Sequence, residues 1–202
     1  PNFFNLKNIL KINTLNELYD YLNNLPERSG FITKNYTPFG ESRRQYFSES
    51  NGKKIDAIRT LIEEWAESKL INSEEECYLI ASLLYAVNKV SNVTGTYGSY
   101  LKKWDNRALK ELTVQPLKLI YSPREHIALN EDALDVVGKY EVDILYLDPP
   151  YNCRQYVSNY FILELIGVGW FGEKLPEIYG HTGMCSFNNK KSSFSSKVKA
   201  LD

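Results

Sequence analysis

Asp148, Pro149, Pro150 and Tyr151 stand consecutively and combine three kinds of chemistry. The set holds one carboxylate, carbonyls with few competing N–H donors, and one aromatic ring. A carboxylate and a carbonyl both accept hydrogen bonds, so together they can hold both hydrogens of an exocyclic amino group. The nitrogen lone pair is then left free to point elsewhere. A neighbouring ring can stack on the planar base that carries the amino group. These residue types therefore describe a site for an aminopurine or aminopyrimidine that has left its duplex stack.

Such a site needs a rigid support. Ile144, Leu145, Tyr146 and Leu147 precede it as a continuous apolar run, the pattern of a strand buried on both faces of a parallel sheet. Pro149 and Pro150 remove two backbone donors and fix two φ angles, which ends the ladder. The expected result is a stiff turn at the carboxyl end of a strand, where open α/β sheets place ligands. Val157, Phe161, Ile162 and Leu165 then repeat at helical spacing, and Asn152, Arg154, Gln155 and Tyr156 line the mouth of the site.

The string DPPYNCRQYVSNYFILE resembles the DNA adenine-N6 methyltransferases of the Dam-like class, and more narrowly the FokI-type modification methylases. GFITKNYTPFGESRRQYFSESNGKKIDAIRTLI and KVSNVTGTYGSYLKKW carry the likeness through most of the chain beyond residue 30. The resemblance implies a Rossmann-like α/β sheet, here partial, with an inserted and mainly helical target-recognition region. Residues 1–30 would close an upstream catalytic part, 31–116 would be the recognition region, and 117–202 would be the α/β part with the Asp-Pro-Pro-Tyr turn. It further implies S-adenosylmethionine as cofactor, with Asp132 and Asp148 beside it, and a flipped adenine of double-stranded DNA as substrate. The implied setting is a bacterial restriction-modification system with a restriction endonuclease encoded nearby, in the cytoplasm. Phe161 stands where the FokI type usually has histidine, and Cys185 where arginine is more usual.

The remaining chain bounds the alternatives. With 202 residues and 43% apolar composition, a sizeable core is possible. No apolar run approaches a membrane span. Cys77, Cys153 and Cys185 lack metal spacing and read as reduced thiols, with Cys153 a bystander to the turn. No metal is implied. Net charge is −1, which a nucleic-acid binder often exceeds, but the charges are unevenly placed. Glutamates crowd residues 63–76, while Lys102, Lys103, Arg107 and Lys110 crowd another stretch. Either run can be a solvated face.

In chain order, Thr14 and Glu17 predict a capped helix through Leu15, Leu18, Leu22 and Leu25, ended by Pro26. Residues 28–50 read as an ordered loop or hairpin, in which Arg44 is a candidate phosphate contact. An amphipathic helix spans about Lys53–Leu70, and Ser73 with Glu76 caps a second helix, giving an antiparallel hairpin. The glycine loop around Gly95 and Gly98, with Tyr97, leads into Lys102-Lys103-Trp104 and suits a DNA-facing segment. Leu117–Tyr121 and His126–Leu129 are strand candidates, followed by Asp132 and a short helix ending near Gly138. His126 reads as structural rather than as a base.

Gly30, Gly40 and Gly52 are isolated, and no Gly-x-Gly pair after an apolar strand stands before Asp132. The chain thus reads as an internal stretch of a longer protein, expected to bind S-adenosylmethionine weakly or not at all on its own. Two other functions fit the same residues: methylation of cytosine N4 or of RNA amino groups, and a catalytically silent nucleic-acid-binding module.

Overall fold

Local caps start most of the helices in the computed structural model, which describes residues 1–148, 155–172 and 174–185. Helix α1 spans Phe4–Leu10. Helix α2 spans Leu15–Asn23, with the Thr14 side chain accepting from the Glu17 N–H. The Glu17 carboxylate accepts in return from the Asn13 N–H at 2.9 Å, one residue before the cap. Leu18, Tyr19 and Leu22 face the core, as the spacing predicts.

Helix α4 spans Glu49–Glu67, capped by Ser48, and begins four residues before the expected Lys53. The sequence hides this start because Gly52 lies in the first turn. A Cβ there would sit 2.4 Å from Thr37 Cγ2, so glycine is what allows the preceding segment to approach. Helix α5 spans Ser73–Lys89. Its capping box is Asn72 with Glu75, a correction of the expected Ser73 and Glu76 by one residue. Asn72 outcompetes Ser73 because Glu75 can then reach back to the Asn72 N–H at 3.1 Å. Ile55, Ile58 and Ile62 of α4 are buried in the same core as Leu79, Leu83 and Val87 of α5. Each such side chain contributes on the order of 1.5–3 kcal/mol by burial.

Residues 28–50, expected as loop or hairpin, contain a third helix, α3, at Phe31–Tyr36. No side chain of its own caps it. Asp56 of α4 does so from across the interface, accepting from the N–H groups of Gly30, Ile32 and Thr33 at 2.8–2.9 Å and from the Thr33 hydroxyl at 2.6 Å. Burial pushes the Asp56 carboxyl above the usual carboxylate range, and those four donors pull it back.

Helix α6 is a single turn, Ala133–Val136. Helix α7 spans Tyr156–Val168 and buries Phe161, Ile162, Leu165 and Ile166 against α5 and the end of the described chain. Strands β1, Ile178–Tyr179, and β2, Met184–Cys185, pair antiparallel with Ile178 opposite Cys185. One apolar core runs from Phe3 and Leu6 through the α4–α5 hairpin to Phe161 and Cys185.

The expected strands at Leu117–Tyr121, His126–Leu129 and Ile144–Leu147 are not strands in this structure. Ile120, Tyr121, Ile144 and Tyr146 are 92, 90, 86 and 84% exposed. An apolar run becomes a strand only when a neighbour takes its N–H and C=O groups. Among the described residues the sole paired strands are β1 and β2. The Rossmann-like sheet is therefore not seen among them.

Removing the Asp56 carboxylate strands two buried backbone donors, those of Ile32 and Thr33, and the part-buried one of Gly30. Asp56→Ala is expected to lower the unfolding free energy by about 3 kcal/mol, since a buried donor left without a partner costs about 1–3 kcal/mol. Urea denaturation checks this; a loss under about 1 kcal/mol would show that water replaces the carboxylate.

Candidate functional site

Asp148 is exposed at the end of the irregular segment 137–148. Pro149, Pro150, Tyr151, Asn152 and Arg154 lie outside the described residues. The description resumes at Gln155, the N-cap residue of α7, and Tyr156, which is half exposed and packs edge-on against Tyr160 with ring centroids 5.8 Å apart. The start of α7 is thus the described landmark nearest to the Asp-Pro-Pro-Tyr turn on its far side.

The glycine loop docks on that landmark. The Tyr97 N–H donates to the Asn159 carbonyl of α7 at 2.6 Å. A Cβ on Gly98 would lie 3.2 Å from the Asn159 Oδ1, so the loop backbone meets the helix closely. Tyr97 itself is buried. Its hydroxyl donates to Asn88 Oδ1 at 2.8 Å, and burial pushes its phenol up to about 12. Its carbonyl accepts from the Tyr46 hydroxyl at 3.0 Å. Tyr97, expected to touch DNA, instead fastens the loop to the core.

Asn92 holds the other side of the loop. Its side-chain amide donates to the carbonyls of Gln45 and Leu101 at 3.0 and 2.9 Å, and its Oδ1 accepts from the Asp105 N–H at 2.9 Å. The residue is fully buried, so all three bonds act in a low-dielectric setting where an unmade one is costly. Asn51 does the same for the following stretch, bonding the Ala108 and Lys110 carbonyls and the Leu112 N–H. Sequence reading passed over both asparagines, because nothing local distinguishes a buried amide from an exposed one. Lys102 and Lys103, between these anchors, are exposed, as a phosphate-contacting pair would need to be. Arg107 is already paired with Asp105 at 3.2 Å.

A second loop converges on the same region. The turn Gly180–Gly183, between β1 and β2, is fixed by Arg44, whose Nε donates to the His181 carbonyl at 2.9 Å and whose Nη2 donates to the Gly180 carbonyl at 3.0 Å. Arg44 Nη1 donates to the Asn35 carbonyl at 3.0 Å, and the Tyr36 hydroxyl donates to the Gly183 carbonyl at 2.9 Å. Arg44 is only 8% exposed. Expected as a phosphate contact, it spends its guanidinium on three protein carbonyls instead. The physical reason is that helix α3, absent from the sequence reading, brings Asn35 and Tyr36 beside it.

Arg59 plays the matching part at the far end of α7. It is 1% exposed, donates to the Ile166 and Val168 carbonyls at 2.8 and 3.3 Å, and pairs with Glu63 at 2.8 Å. These bonds satisfy carbonyls that the helix leaves open at its C-terminus. Phe161 and Cys185, the two departures from the usual pattern, are both buried. Phe161 packs edge-on against Tyr46 with centroids 6.2 Å apart.

Asp132 is exposed and caps α6, its Oδ1 accepting from the Leu134 N–H at 3.0 Å. Its carboxylate has the chemistry to accept from the hydroxyls of a ribose. The described residues beside it in the chain are almost all exposed. No group of three or more His, Cys, Asp or Glu suited to a metal ion occurs among the described residues. No helix among them is long and apolar enough to cross a membrane.

The family model of the D12 class N6 adenine-specific DNA methyltransferases matches residues 3–201, and the chain belongs to that family. It is 42% identical over 200 residues to the Type II methyltransferase M.FokI of Planomicrobium okeanokoites, covering 98% of this chain and 30% of that protein. It is 41% identical over 184 residues to the modification methylase StsI of Streptococcus sanguinis, covering 90% of this chain and 27% of that protein. Against the Type II methyltransferase M.NlaIII of Neisseria lactamica the identity is 39% over 187 residues, covering 93% of this chain and 54% of that protein. The chain therefore spans between about a quarter and a half of the length of these relatives. No solved structure matches it.

Burial pushes the Cys185 thiol up to about 11, while Cys77 is exposed. At pH 8 about a thousandth of Cys185 would be thiolate, and the thiolate is the reactive form. In a Cys153→Ser background, maleimide is expected to label Cys77 within minutes and Cys185 only after denaturant is added. Peptide mass spectrometry reads the two sites separately; rapid native labelling of Cys185 would contradict its packing.

Proposed function

We propose that the protein carrying this chain transfers a methyl group from S-adenosylmethionine to the N6 amino group of an adenine flipped out of double-stranded DNA. It would be the modification partner of a restriction endonuclease, acting in the cytoplasm. The observation that carries this reading is the join between the two halves of the site. The lysine-bearing glycine loop bonds directly to α7, the helix that follows the Asp-Pro-Pro-Tyr turn. A duplex held by Lys102 and Lys103 would thus lie next to the turn that takes the base.

In this reading Asp148 and the Pro149 carbonyl accept hydrogen bonds from the adenine amino group, and Tyr151 stacks on the ring. Pro149 and Pro150 keep the acceptors in place before the base arrives, which lowers the ordering cost. S-adenosylmethionine, when bound, supplies an electrophilic methyl group. As that group is transferred, positive charge develops on the amino nitrogen, and a fixed carboxylate stabilises it most at the transition state. Asn152, Arg154, Gln155 and Tyr156 would meet the nucleotides beside the flipped base. Asp132 would accept from the cofactor's ribose. Ile144–Leu147 would be a strand of the Rossmann-like sheet, which is where such exposed apolar residues would be covered. Residues 31–116 would serve target recognition.

Two outcomes test this. Asp148→Ala in the whole protein is expected to reduce methylation of duplex DNA by about a hundred- to a thousandfold with folding retained, the usual cost of losing one placed electrostatic group. Transfer of tritiated methyl to DNA at near wild-type rate by the variant would overturn the assignment of Asp148. Changing Lys102 and Lys103 together to alanine is expected to lower the slope of log K against log salt by about two, close to one for each phosphate that is no longer neutralised. Titration of DNA binding across salt concentrations measures this, and an unchanged slope would return both lysines to a solvated face.

A further inference from the structure

Tyr100 Oη and His181 Nε2 lie 3.1 Å apart at the surface, with ring centroids 5.8 Å apart. Either atom can donate, according to the imidazole tautomer. The two residues come from loops 81 positions apart in the chain. A hydrogen bond between exposed side chains contributes little to stability, yet the backbone beneath this one is held by buried side chains. Arg44 and Tyr36 make three bonds to the carbonyls of Gly180, His181 and Gly183. Gly183 has φ +74°, and a Cβ there would come within 2.6 Å of Arg44 Nε, so the turn is built around the buried guanidinium. On the other side, the Tyr100 ring packs edge-on against buried Tyr46 with centroids 5.0 Å apart. Two rigid supports therefore present one polar aromatic pair to solvent.

The setting of the pair indicates its use. Lys102 and Lys103 follow Tyr100 and are exposed. Tyr97, three residues before, is bonded to Asn159 of α7. Tyr100 thus stands on the glycine loop, in chain order between the residue bonded to α7 and the two lysines, and His181 meets it from the turn between β1 and β2. A phenol O–H and an imidazole N–H both donate to phosphate oxygens, and contacts to phosphate fix the register of a duplex on a protein.

We propose that Tyr100 and His181 together grip a phosphodiester group of the substrate DNA, a contact that rests on the function proposed above and sets where the duplex lies relative to the base-binding turn. The hydrogen bond between the two side chains holds the donors ready, and one of them turns to the phosphate when DNA binds.

The test uses the whole protein and a fluorescently labelled duplex carrying the site that the wild type methylates, found by sequencing modified genomic DNA. His181→Ala and Tyr100→Phe are each expected to weaken DNA binding by about tenfold, the usual size of a hydrogen bond to a charged group. The KM for DNA should rise by the same factor, with kcat within twofold and cofactor affinity and thermal midpoint unchanged. Tyr100→Phe keeps the packing on Tyr46, and His181→Gln, which keeps an N–H donor, should restore most of the affinity. Wild-type DNA affinity in folded His181→Ala overturns the proposal, as does a loss of affinity that tracks a falling thermal midpoint. A wild-type protein that transfers no methyl group to DNA removes the underlying function as well, so the two failures are told apart by the control.

Discussion

The buried carboxylate of Asp56 holds the segment on which the surface beside the candidate site depends. It takes three backbone N–H groups and one hydroxyl at the start of α3, a six-residue helix with no cap of its own. A helix that short is not stable alone, because nucleation fixes several residues for one hydrogen bond. Four donors converging on one buried anion offset that cost. Gly30 belongs to the same arrangement, since a Cβ there would lie 2.8 Å from Asp56 Cγ. Once α3 is in place, Asn35 and Tyr36 stand where Arg44 and the Gly180–Gly183 turn can bond to them. One carboxylate on α4 thereby reaches, through two further steps, the surface beside the candidate site.

The rest of the site is held by the same kind of contact. Asn92 and Asn51 tie the lysine loop and the stretch after it to the helical core, and Arg59 closes the end of α7. Each is buried and directs polar atoms at backbone groups, with Arg59 also reaching the Glu63 carboxylate. Apolar packing among Ile55, Ile62, Leu83 and Phe161 supplies the core, but it is tolerant of small shifts. Directional bonds to backbone are not, because a donor moved off line in a dry interior has no water to replace its partner. The division of labour is therefore clear: apolar contacts gather the helices, and buried amides and guanidinia set where the loops lie.

The aromatic residues show how the two kinds of contact combine. Tyr36, Tyr46 and Phe161 pack at angles between 52 and 89°. Their hydroxyls do not remain idle in that cluster: Tyr46 bonds the Tyr97 carbonyl and Tyr36 the Gly183 carbonyl. A phenylalanine at position 161, with no polar atom, fits the middle of such a cluster without asking for a partner. The abundance of tyrosine, 15 residues, is thus explained in part by structure rather than by contact with bases.

The sequence alone determined what depends on neighbours in the chain. Helical spacing located α2, α4, α5 and α7, and the string Asp148-Pro149-Pro150-Tyr151 pointed to the family that residues 3–201 match. The exposed lysines at 102 and 103 were also legible, since a charge beside glycines is hard to bury. Only the tertiary structure decided what depends on residues far away. Helix α3 was invisible because its cap is 24 positions distant from Ile32. Arg44 and Tyr97 looked like surface contacts because sequence does not record that carbonyls from residues 35, 180 and 181, or a side chain from residue 88, would meet them. The apolar runs at 117–121 and 144–147 carry strand pattern without strand structure for the same reason: a pattern states which faces want burial, and a ladder exists only where a second strand supplies the partners.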